Sequence, residues 1–376
     1  MLLPEDHLAV QDAVRAFVQA EITPHAAAWD KSHRFPAEAL KGLAALGCYG
    51  VAVPPEWDGA GLDTLALAVI LEEIAAGDGA TSTVVSVNNC PVCSILMAFA
   101  NDDQKQRFLM PLARGDMLGA FCLTEPHVGS EAGGLTTTAV RDGDAYVING
   151  VKQFITSGKN GDVAIVMAVT DKAAGKKGIS AFIVPTKTPG YTVARVEDKL
   201  GQHASDTAQI RFENCRVPAS HLLGDEGLGL KIALSGLEGG RIGIASQAVG
   251  MARAAFEAAL RYSKERTSFG QPIFQHQAVQ FKLADMATQI EVARQMIWHA
   301  AALKDAGRPC LKEAAMAKLF ASEMAEGVCS AAIQVFGGYG YVSDFPVERI
   351  YRDVRVCQIY EGTSEVQKIL IGRALA

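Results

Sequence analysis

The chain has 376 residues, of which 49% are hydrophobic and 20% charged, as is usual for a globular protein with two or three domains. Its 35 basic and 41 acidic residues leave no general cationic field, which argues against nucleic acid or an anionic membrane as a partner. Any anionic ligand must therefore be held by local groups.

Two features of the sequence concern the compartment. The eight cysteines are scattered along a long chain, a pattern more typical of reduced thiols than of a disulfide framework. The first residues, MLLPEDHLAV, lack the basic and apolar runs of a targeting segment, and no run of eighteen uncharged apolar residues follows. We therefore expect a cytoplasmic protein of the bacterial type, or one already trimmed, without a membrane span.

Residues 1–118 are predicted to form an N-terminal helical domain. Apolar residues recur at helical spacing from Leu8 to Val18, and Pro and Gly residues separate this segment from the next. Further helical patterns cover residues 64–76 and 81–99, and one short helix with acidic residues at its start follows them.

Residues 119–226 have a different composition and are predicted to form a middle β domain. Four short runs are rich in β-branched and aromatic residues and are bounded by Gly, Asn, Asp or Pro. These runs are YVINGVKQFITSG, VAIVMAVT, ISAFIVP and AQIRFENCRVP.

Residues 227–376 return to helical patterns and are predicted to form a C-terminal helical bundle. One apolar stripe repeats at intervals of 3, 4, 3, 4 and 3 residues, which is the spacing of a single buried helix face. The stripe consists of Leu283, Met286, Ile290, Ala293, Ile297 and Ala300. The expected fold class is therefore mainly α with a β domain (α+β).

Several common site motifs are missing from the sequence. There is no phosphate-binding loop of the G-x-x-x-x-G-K-[ST] type, and no G-x-G-x-x-G lies between a strand and a helix, so a Rossmann-bound nucleotide is disfavoured. No G-x-S-x-G elbow is present. Cys90 and Cys93 have no second pair and no histidines at ligand spacing, so we expect no metal site.

The decapeptide QIYEGTSEVQ places an acid, Glu361, between an apolar pair and a Gly-Thr pair. A carboxylate held against apolar neighbours has a raised pKa and becomes a better proton acceptor. An acid beside a Gly-Thr turn can equally cap a helix or face water. Local sequence therefore leaves a base and a structural residue as alternatives.

Two stretches around the β region could meet a polar cofactor. FCLTEPHVGSEAGG offers hydroxyls at Thr124 and Ser130, although Glu-Pro with nearby glycines is also ordinary turn chemistry. In QFITSG, Phe154 and Thr156 alternate onto one strand face, which suits a flat heteroaromatic ring but is also common on sheets.

Two arginines in the C-terminal region could bind an anionic ligand. Arg241 in LEGGRIGIA follows two glycines and precedes an apolar helix, and surface solvation is its structural alternative. In KERTSFGQPIFQHQ, Arg266 offers a fork that matches phosphate, and the Phe-Gly-Gln-Pro break exposes an aromatic ring that a partner subunit could use.

Taken together, these stretches resemble the acyl-CoA dehydrogenase family over nearly the whole chain. Seven motifs occur in family order: LTEP-x-x-GS, ING-x-K followed by ITSG, GRIGIA, ER-x-x-FG-x-P, Q-x-FGG-x-GY, PVER-x-x-RD and QIYEGTSE. The segments QFKLADMA and KEAAMAKLFASE are most similar to the short-chain acyl-CoA branch.

The resemblance implies an N-terminal helical domain, a middle β-barrel-like domain and a C-terminal four-helix bundle. It also implies FAD bound without a Rossmann motif, a homotetramer with FAD at a subunit boundary, and reoxidation by electron-transferring flavoprotein. The implied reaction is FAD-dependent α,β-dehydrogenation of a short-chain acyl-CoA to the trans-2-enoyl-CoA.

The resemblance also assigns roles to individual residues. Flavin contacts within the subunit fall to Phe121, Leu123, Thr124, Ser130, Phe154 and Thr156; those from a neighbouring subunit fall to Arg266, Phe269, Gln277, Gln334 and Gly338, with Thr363 and Glu365 beside the flavin. Substrate contacts fall to Ser130, Glu238, Arg241, Tyr360 and Gly362. Glu361 becomes the base that removes the α-proton, while flavin N5 accepts the β-hydride.

Three alternatives to this function remain open at the level of sequence. The first is a dehydrogenase for short 2-methyl-branched acyl-CoA. The second is an acyl-CoA oxidase of the same architecture, which passes electrons to oxygen. The third is a non-catalytic relative that keeps the bundle as a scaffold.

The sequence departs from the family pattern at four positions. One branch of the family places its base immediately before the arginine of the GR segment, where this chain has Gly240, so Glu361 is the matching base. His127 stands where glycine is frequent and would be strained at a positive φ. His203 replaces a common arginine, and Phe154 replaces a common tryptophan.

Overall fold

Helices occupy the two ends of the chain, and a sheet occupies its middle. This order, seen in a computed structural model that describes residues 2–376, confirms the predicted fold class. The last N-terminal helix ends at Arg114 and the first strand begins at Gly119, while the sheet ends at Leu223 and the next helix begins at Gly229. The exact domain boundaries within these connections remain a prediction.

The N-terminal helices surround one central helix, α4, which is buried along almost its whole length. The helices are α1 (Glu5–Phe17), α2 (Ala26–Ser32), α3 (Ala37–Ala45), α4 (Thr64–Gly77), α5 (Gly79–Val87), α6 (Ser94–Phe99), α7 (Asp102–Gln104) and α8 (Met110–Arg114). Asp63 caps α4 by accepting a hydrogen bond from the Ala66 N–H at 2.8 Å, so α4 begins where the pattern predicted.

The helix predicted over residues 81–99 is divided in two. Between α5 and α6 lies a π-helical segment, Asn88–Cys93, in which Cys90 has the extended angles φ −137° and ψ 114°. Cys90 precedes Pro91, and the proline ring disfavours helical angles at the residue before it. Pro91 is a local sign of this break that the helical prediction over residues 81–99 did not use.

The middle strands form one mixed sheet. They are β1 (Gly119–Cys122), β2 (Thr138–Asp142), β3 (Ala145–Thr156), β4 (Val163–Val169), β5 (Ile179–Pro185), β6 (Tyr191–Val196), β7 (Thr207–Pro218) and β8 (Leu222–Leu223). Their order is β6-β7-β3-β2-β4-β5-β8, with β1 parallel to β4. The four predicted runs are confirmed as β3, β4, β5 and β7; the strands not predicted are short or largely exposed.

The C-terminal helices pack around the long helix α9. They are α9 (Gly229–Glu265), α10 (Gln277–Asp305), α11 (Leu311–Phe336), α12 (Val347–Val354) and α13 (Ser364–Leu375), with a hairpin of β9 (Thr267–Ser268) and β10 (Gln271–Pro272) after α9. Every residue of the predicted stripe on α10 is buried, which confirms it as the core face. Alanines dominate this core, so the helices approach closely.

Glycines on α9 let the N-terminal helices pack directly on its backbone. A Cβ atom at Gly243 would lie 2.8 Å from Ser86 Oγ, and one at Gly250 would collide with the Glu72 carbonyl. α9 therefore joins the two helical regions, and residues on it face both.

One stretch, Gly79–Phe99, is long and apolar enough to span a membrane by length and composition alone. Its most apolar window is 67% buried inside the protein, as in core helices of globular proteins, so the stretch is weak evidence for a span.

Candidate active site

The decapeptide around Glu361 forms a strained turn just before α13. Glu361 has φ 55° and Gly362 has φ 93°, so two consecutive residues lie in the left-handed region. Thr363 caps the helix, because its side chain accepts a hydrogen bond from the Val366 N–H. The helix cap is therefore Thr363, and Glu361 has no capping role.

Glu361 is partly buried, and one oxygen of its carboxyl is enclosed without a hydrogen bond. Its Oε2 atom is inaccessible and has no partner within the described residues 2–376. Burial raises the pKa of Glu361 to about 7, against the lowering effect of Arg241 and Lys318. A carboxyl with this pKa is well matched to proton transfer near neutral pH.

Two glycines on α9 make room for this carboxyl. A Cβ built on Gly240 would lie 2.8 Å from the Glu361 carboxyl carbon, and closer still to Oε2. A Cβ on Gly239 would lie 3.1 Å from the Cys90 sulfur, which places that thiol beside the same space. Gly240 cannot act as a base, but the missing side chain allows Glu361 to occupy its place.

Arg241 is buried beside the same carboxyl. Its Nε and Nη1 atoms are inaccessible and have no hydrogen-bond partner in the part of the chain described. Burial lowers the pKa of Arg241, while Glu361 and Glu238 oppose this shift. The surface-solvation alternative for Arg241 is therefore wrong. Glu238 is only partly buried and lies 3.7 Å from Lys304 Nζ.

The residues on either side of Glu361 are held by hydrogen bonds to side chains of the helical bundle. The Tyr360 hydroxyl donates to Gln247 Oε1 at 2.8 Å, so its polar end faces the bundle interior. The Gly362 carbonyl accepts from Lys318 Nζ at 2.7 Å and from Gln367 Nε2 at 2.8 Å. No role was assigned to Lys318 from the motifs. The one sequence signal for it is that a lysine interrupts the alanine-rich stripe of AAMAKLFASE.

The first group of expected flavin contacts is brought together in the sheet region. Phe121 lies in β1, and Leu123 and Thr124 follow it; the Gln153 N–H donates to the Thr124 carbonyl at 2.8 Å. This bond joins the LTEP and QFITSG segments side by side. Ser130 is exposed in the loop after them.

Phe154 is oriented by a bulge rather than by simple strand alternation. The register between β3 and β7 shifts between Lys152 and Ile155, and Phe154 has φ 57° with 63% of its surface exposed. Thr156 is partly buried two residues later. An exposed aromatic ring beside hydroxyls is thus available to a flat ligand.

A buried ion pair supports the same loop. Lys152 Nζ lies 2.8 Å from Glu125 Oε1 and also donates to the Leu123 carbonyl at 3.0 Å. The Glu125 carboxylate accepts further hydrogen bonds from Thr136 and Thr137. Neither Glu125 nor Lys152 was singled out from the sequence, where Glu-Pro indicates only a turn.

The second group of expected flavin contacts lies at one end of the bundle. Arg266 holds its guanidinium 5.9 Å from the Tyr339 ring centre, and Phe269 on the β9–β10 hairpin is 96% exposed. Gln277 begins α10, Gln334 is near the end of α11, and Gly338 follows it. Among residues 2–376, no hydrogen bond or ion pair joins this group to the sheet group, and Thr363 and Glu365 lie apart at the start of α13.

Comparison with known proteins identifies the family to which the chain belongs. The models described as Acyl-CoA dehydrogenase N-terminal, middle and C-terminal domains match residues 4–116, 120–215 and 227–376. The chain belongs to the acyl-CoA dehydrogenase family. Members of this family are FAD-dependent oxidoreductases that act on CH–CH groups.

Individual relatives are similar over almost the whole chain. The short-chain specific mitochondrial acyl-CoA dehydrogenase of Rattus norvegicus is 48% identical over 369 residues, covering 98% of this chain and 90% of the relative. The butyryl-CoA dehydrogenase of Megasphaera elsdenii is 41% identical with a TM-score of 0.97, covering 100% and 99%. A chain in the structure of the electron transferring flavoprotein of Acidaminococcus fermentans is 45% identical with a TM-score of 0.98, at the same coverage.

The residues of this family member fit an FAD cofactor. The exposed Phe154 ring and the partly buried Thr124 and Thr156 come from two segments that the Gln153–Thr124 hydrogen bond joins, so an aromatic face and polar groups are offered in one region, as a flavin ring with polar edges requires. Two N–H groups of Arg241 and the Oε2 atom of Glu361 are inaccessible and have no hydrogen-bond partner in the described residues. Buried polar groups normally have one, and a polar ligand at this site would supply it.

The two unusual histidines cause no strain. His127 is not among the residues with positive φ, so the strain considered for it does not arise. His203, in the place of the common arginine, still contacts an acid, since its Nδ1 lies 2.9 Å from Asp30 Oδ1. Ligand atoms of His33, Asp198 and His203 lie within 4.8 Å of one another, but both His203 nitrogens already contact Asp30 and the Lys199 carbonyl.

Proposed function

We propose that this chain catalyses the FAD-dependent α,β-dehydrogenation of a short-chain acyl-CoA to the trans-2-enoyl-CoA, with Glu361 as the base. The observation that carries the proposal is the Glu361 carboxyl, whose Oε2 atom is inaccessible and, among the described residues, unpaired, and whose charge interacts with Arg241 and Lys318. A carboxyl that serves only structure is normally hydrogen-bonded when it is buried.

The chemistry explains why these residues are needed. The α-proton of a thioester is a weak acid, so the base must be dry and the carbonyl oxygen must receive hydrogen bonds as charge develops on it. The Glu361 N–H donates to no acceptor in the described part of the chain and is available to the thioester carbonyl. Gly240 leaves space for the Glu361 carboxyl itself, and Gly362 permits the close approach of Gln367 to the turn.

FAD, when bound, accepts the β-hydride. Phe121, Leu123, Thr124, Ser130, Phe154 and Thr156 would hold it within the subunit, and Arg266, Phe269, Gln277, Gln334 and Gly338 would reach it from a neighbouring subunit, with Thr363 and Glu365 beside it. Ser130, Glu238, Arg241, Tyr360 and Gly362 would contact the acyl-CoA. The separation of the two flavin groups within one chain supports a site shared between subunits of a homotetramer.

The test of the base is Glu361→Gln. We expect the variant to keep its flavin absorbance and to lose turnover by roughly 10³-fold or more, within the range attributed to general bases and the positioned groups around them. Glu323→Gln, on the exposed face of α11 near Lys368, is the matched control and should turn over normally. Near-normal turnover of Glu361→Gln would refute this assignment of the base.

The test of the substrate is anaerobic bleaching of the flavin by a panel of thioesters. We expect the strongest bleaching with C4 and C6 acyl-CoA, weaker bleaching with C8, and a preference no greater than about 10–200-fold per methylene group. The short-chain and butyryl-specific relatives support this range. Strongest bleaching by isobutyryl- or 2-methylbutyryl-CoA would favour the branched-chain alternative, and a C12 optimum would contradict both.

The electron acceptor and the assembly are tested separately. Reoxidation by electron-transferring flavoprotein is expected, and oxygen consumption without an added acceptor would favour an oxidase. A colourless protein without flavin after denaturation would favour a scaffold.

Light scattering should give four times the chain mass, and a monomer that retains FAD would contradict the shared site. The cytoplasmic location is also proposed, and cell fractionation tests it.

A further inference from the structure

A buried lysine on α11 lies beneath the turn that carries Glu361. Lys318 has no exposed surface, and its Nζ donates to the Gly362 carbonyl at 2.7 Å. Its neighbours on the same helix face include Ala314, Ala315 and Ala321, all buried. Burying an ammonium group in an apolar stripe is unfavourable unless specific contacts compensate for it.

The turn above Lys318 requires support. Glu361 adopts a left-handed conformation that is unfavourable for a residue with a side chain. Gln367, in the second turn of α13, donates Nε2 to the Glu361 carbonyl at 3.2 Å and to the Gly362 carbonyl at 2.8 Å. Hydrogen bonds from α11 and α13 therefore hold both carbonyls of the turn, and with them the direction of the Glu361 side chain.

Several titratable groups surround the carboxyl and the ammonium. They are Arg241 and Glu238 on α9, Cys90 in the segment between α5 and α6, Cys357 just before the turn, and Glu365 on α13. Arg241 and Lys318 are the cations that favour the ionised form of Glu361. Burial lowers the pKa of Lys318 to about 8, with Arg241 contributing and Cys357, Glu361 and Glu365 opposing.

We propose that Lys318 is a positioning residue for the reaction, which holds the strained turn through the Gly362 carbonyl and favours the ionised form of the Glu361 carboxyl by its charge. The proposal rests on the proposed function, in which Glu361 is the base. Gln367 shares the first task but not the second, because its amide carries no charge.

The comparison of Lys318→Met with Gln367→Leu separates these two tasks. Both variants lose a hydrogen bond to the same turn, so we expect kcat to fall about tenfold in each, since one hydrogen bond to a strained turn is lost. Only Lys318→Met should shift the acid limb of the pH profile of kcat to higher pH, by about one pH unit, because removing a nearby positive charge raises the pKa of the Glu361 carboxyl. In the wild type, kcat should fall at alkaline pH as Lys318 loses its proton, near its pKa of about 8. This alkaline limb should disappear in Lys318→Met.

A second measurement does not depend on turnover. Difference infrared spectroscopy of the purified protein, with Glu361→Gln as the reference, follows the titration of the Glu361 carboxyl itself. Lys318→Met should raise that titration midpoint by the same one pH unit or so, and Gln367→Leu should leave it in place. Flavin absorbance and thermal unfolding confirm that each variant is folded; if Lys318→Met does not fold, Lys318→Gln replaces it with the same expected shift.

Two results would overturn the proposal. One is an infrared midpoint and acid limb that stay in place in the lysine variant; the other is an equal shift in both variants, which reports a structural change alone. A Glu361→Gln protein with normal turnover would instead refute the base assignment. The infrared midpoint would then still show whether Lys318 sets the proton affinity of that carboxyl.

Discussion

Glu125 in the sheet region and Glu361 in the bundle are both acids beside a fully buried lysine, yet their pKa values move in opposite directions. Glu125 accepts hydrogen bonds from the Thr136 N–H at 2.7 Å, the Thr136 hydroxyl at 2.6 Å, and Lys152 at 2.8 Å. Burial alone would raise the pKa of Glu125, but Lys152 and these hydrogen bonds lower it to about 2.

Glu361 has a lysine nearby but no donor on its carboxyl. Lys318 gives its hydrogen bond to the neighbouring Gly362 carbonyl, and Oε2 of Glu361 has no partner in residues 2–376. Burial therefore dominates and raises the pKa of Glu361 to about 7. The comparison shows that the target of the lysine's hydrogen bond separates a structural carboxylate from a candidate base.

The largest expected effect comes from breaking the satisfied pair. Lys152→Met leaves the Glu125 carboxylate buried without its cation, which should cost about 3–5 kcal/mol of unfolding free energy. Urea unfolding measures this loss. The double variant Glu125→Gln with Lys152→Met should recover part of it, since no charge stays buried. If Lys152→Met alone is as stable as the wild type, the pair does not support the loop.

The two acids should also give opposite pH dependences of stability. The folded pKa of Glu125 lies below its ordinary value of 4.5, so its contribution is present above pH 4.5 and is lost as pH falls towards 2. The folded pKa of Glu361 lies above 4.5, so its contribution is present below pH 4.5 and is lost as pH rises through 7.

Unfolding free energies of Glu125→Gln and Glu361→Gln against the wild type, from pH 3 to 8, measure these contributions. Each should change by at most on the order of 3 kcal/mol, since one pKa unit corresponds to about 1.4 kcal/mol. Equal pH dependence in both variants would show that the two carboxyls are not in different environments.

A smaller effect is expected from a substitution that crowds the Glu361 carboxyl. Gly240→Ala puts a methyl group where the Glu361 carboxyl lies and should displace it, lowering kcat about 10²-fold while the flavin stays bound. Gly327→Ala is the matched control, because that glycine is exposed on α11 and no atom lies within 4 Å of its added Cβ. The control should keep its turnover and gain about 0.5–1 kcal/mol of stability. Equal turnover of both variants would contradict the tight fit at position 240.

The fold was predictable where local pattern and tertiary packing agree. The stripe from Leu283 to Ala300 follows from helical periodicity, because one face of α10 is buried. The strands β3, β4, β5 and β7 follow from runs rich in β-branched and aromatic residues, and β4 and β5 are buried on both faces. The bulge at Phe154 was not predictable, since the strand pattern continues on both sides of it. The break at Cys90 had a local sign in Pro91, which the helical prediction over residues 81–99 did not use. Each break nevertheless lies beside the candidate site.

The candidate site was predictable only in part. Glu361, Arg241 and the hydroxyls at Thr124 and Thr156 were found through motifs that resemble a family. Lys318 was not found, because a lysine within an alanine-rich helix has no local sign of its partner. Its role depends on a carbonyl contributed by a segment far along the chain.

The sequence by itself determined the order of helices and strands, the helix cap at Thr363 and the glycine that permits the turn at Gly362, because these depend on neighbouring residues. The tertiary structure decided which acid is the candidate base. α9 contributes Arg241 and the space at Gly240, α11 contributes Lys318, and the fold encloses the Oε2 atom of the carboxyl. Proton affinity is set by desolvation and by charges from separate segments, so it exists only after the chain has folded.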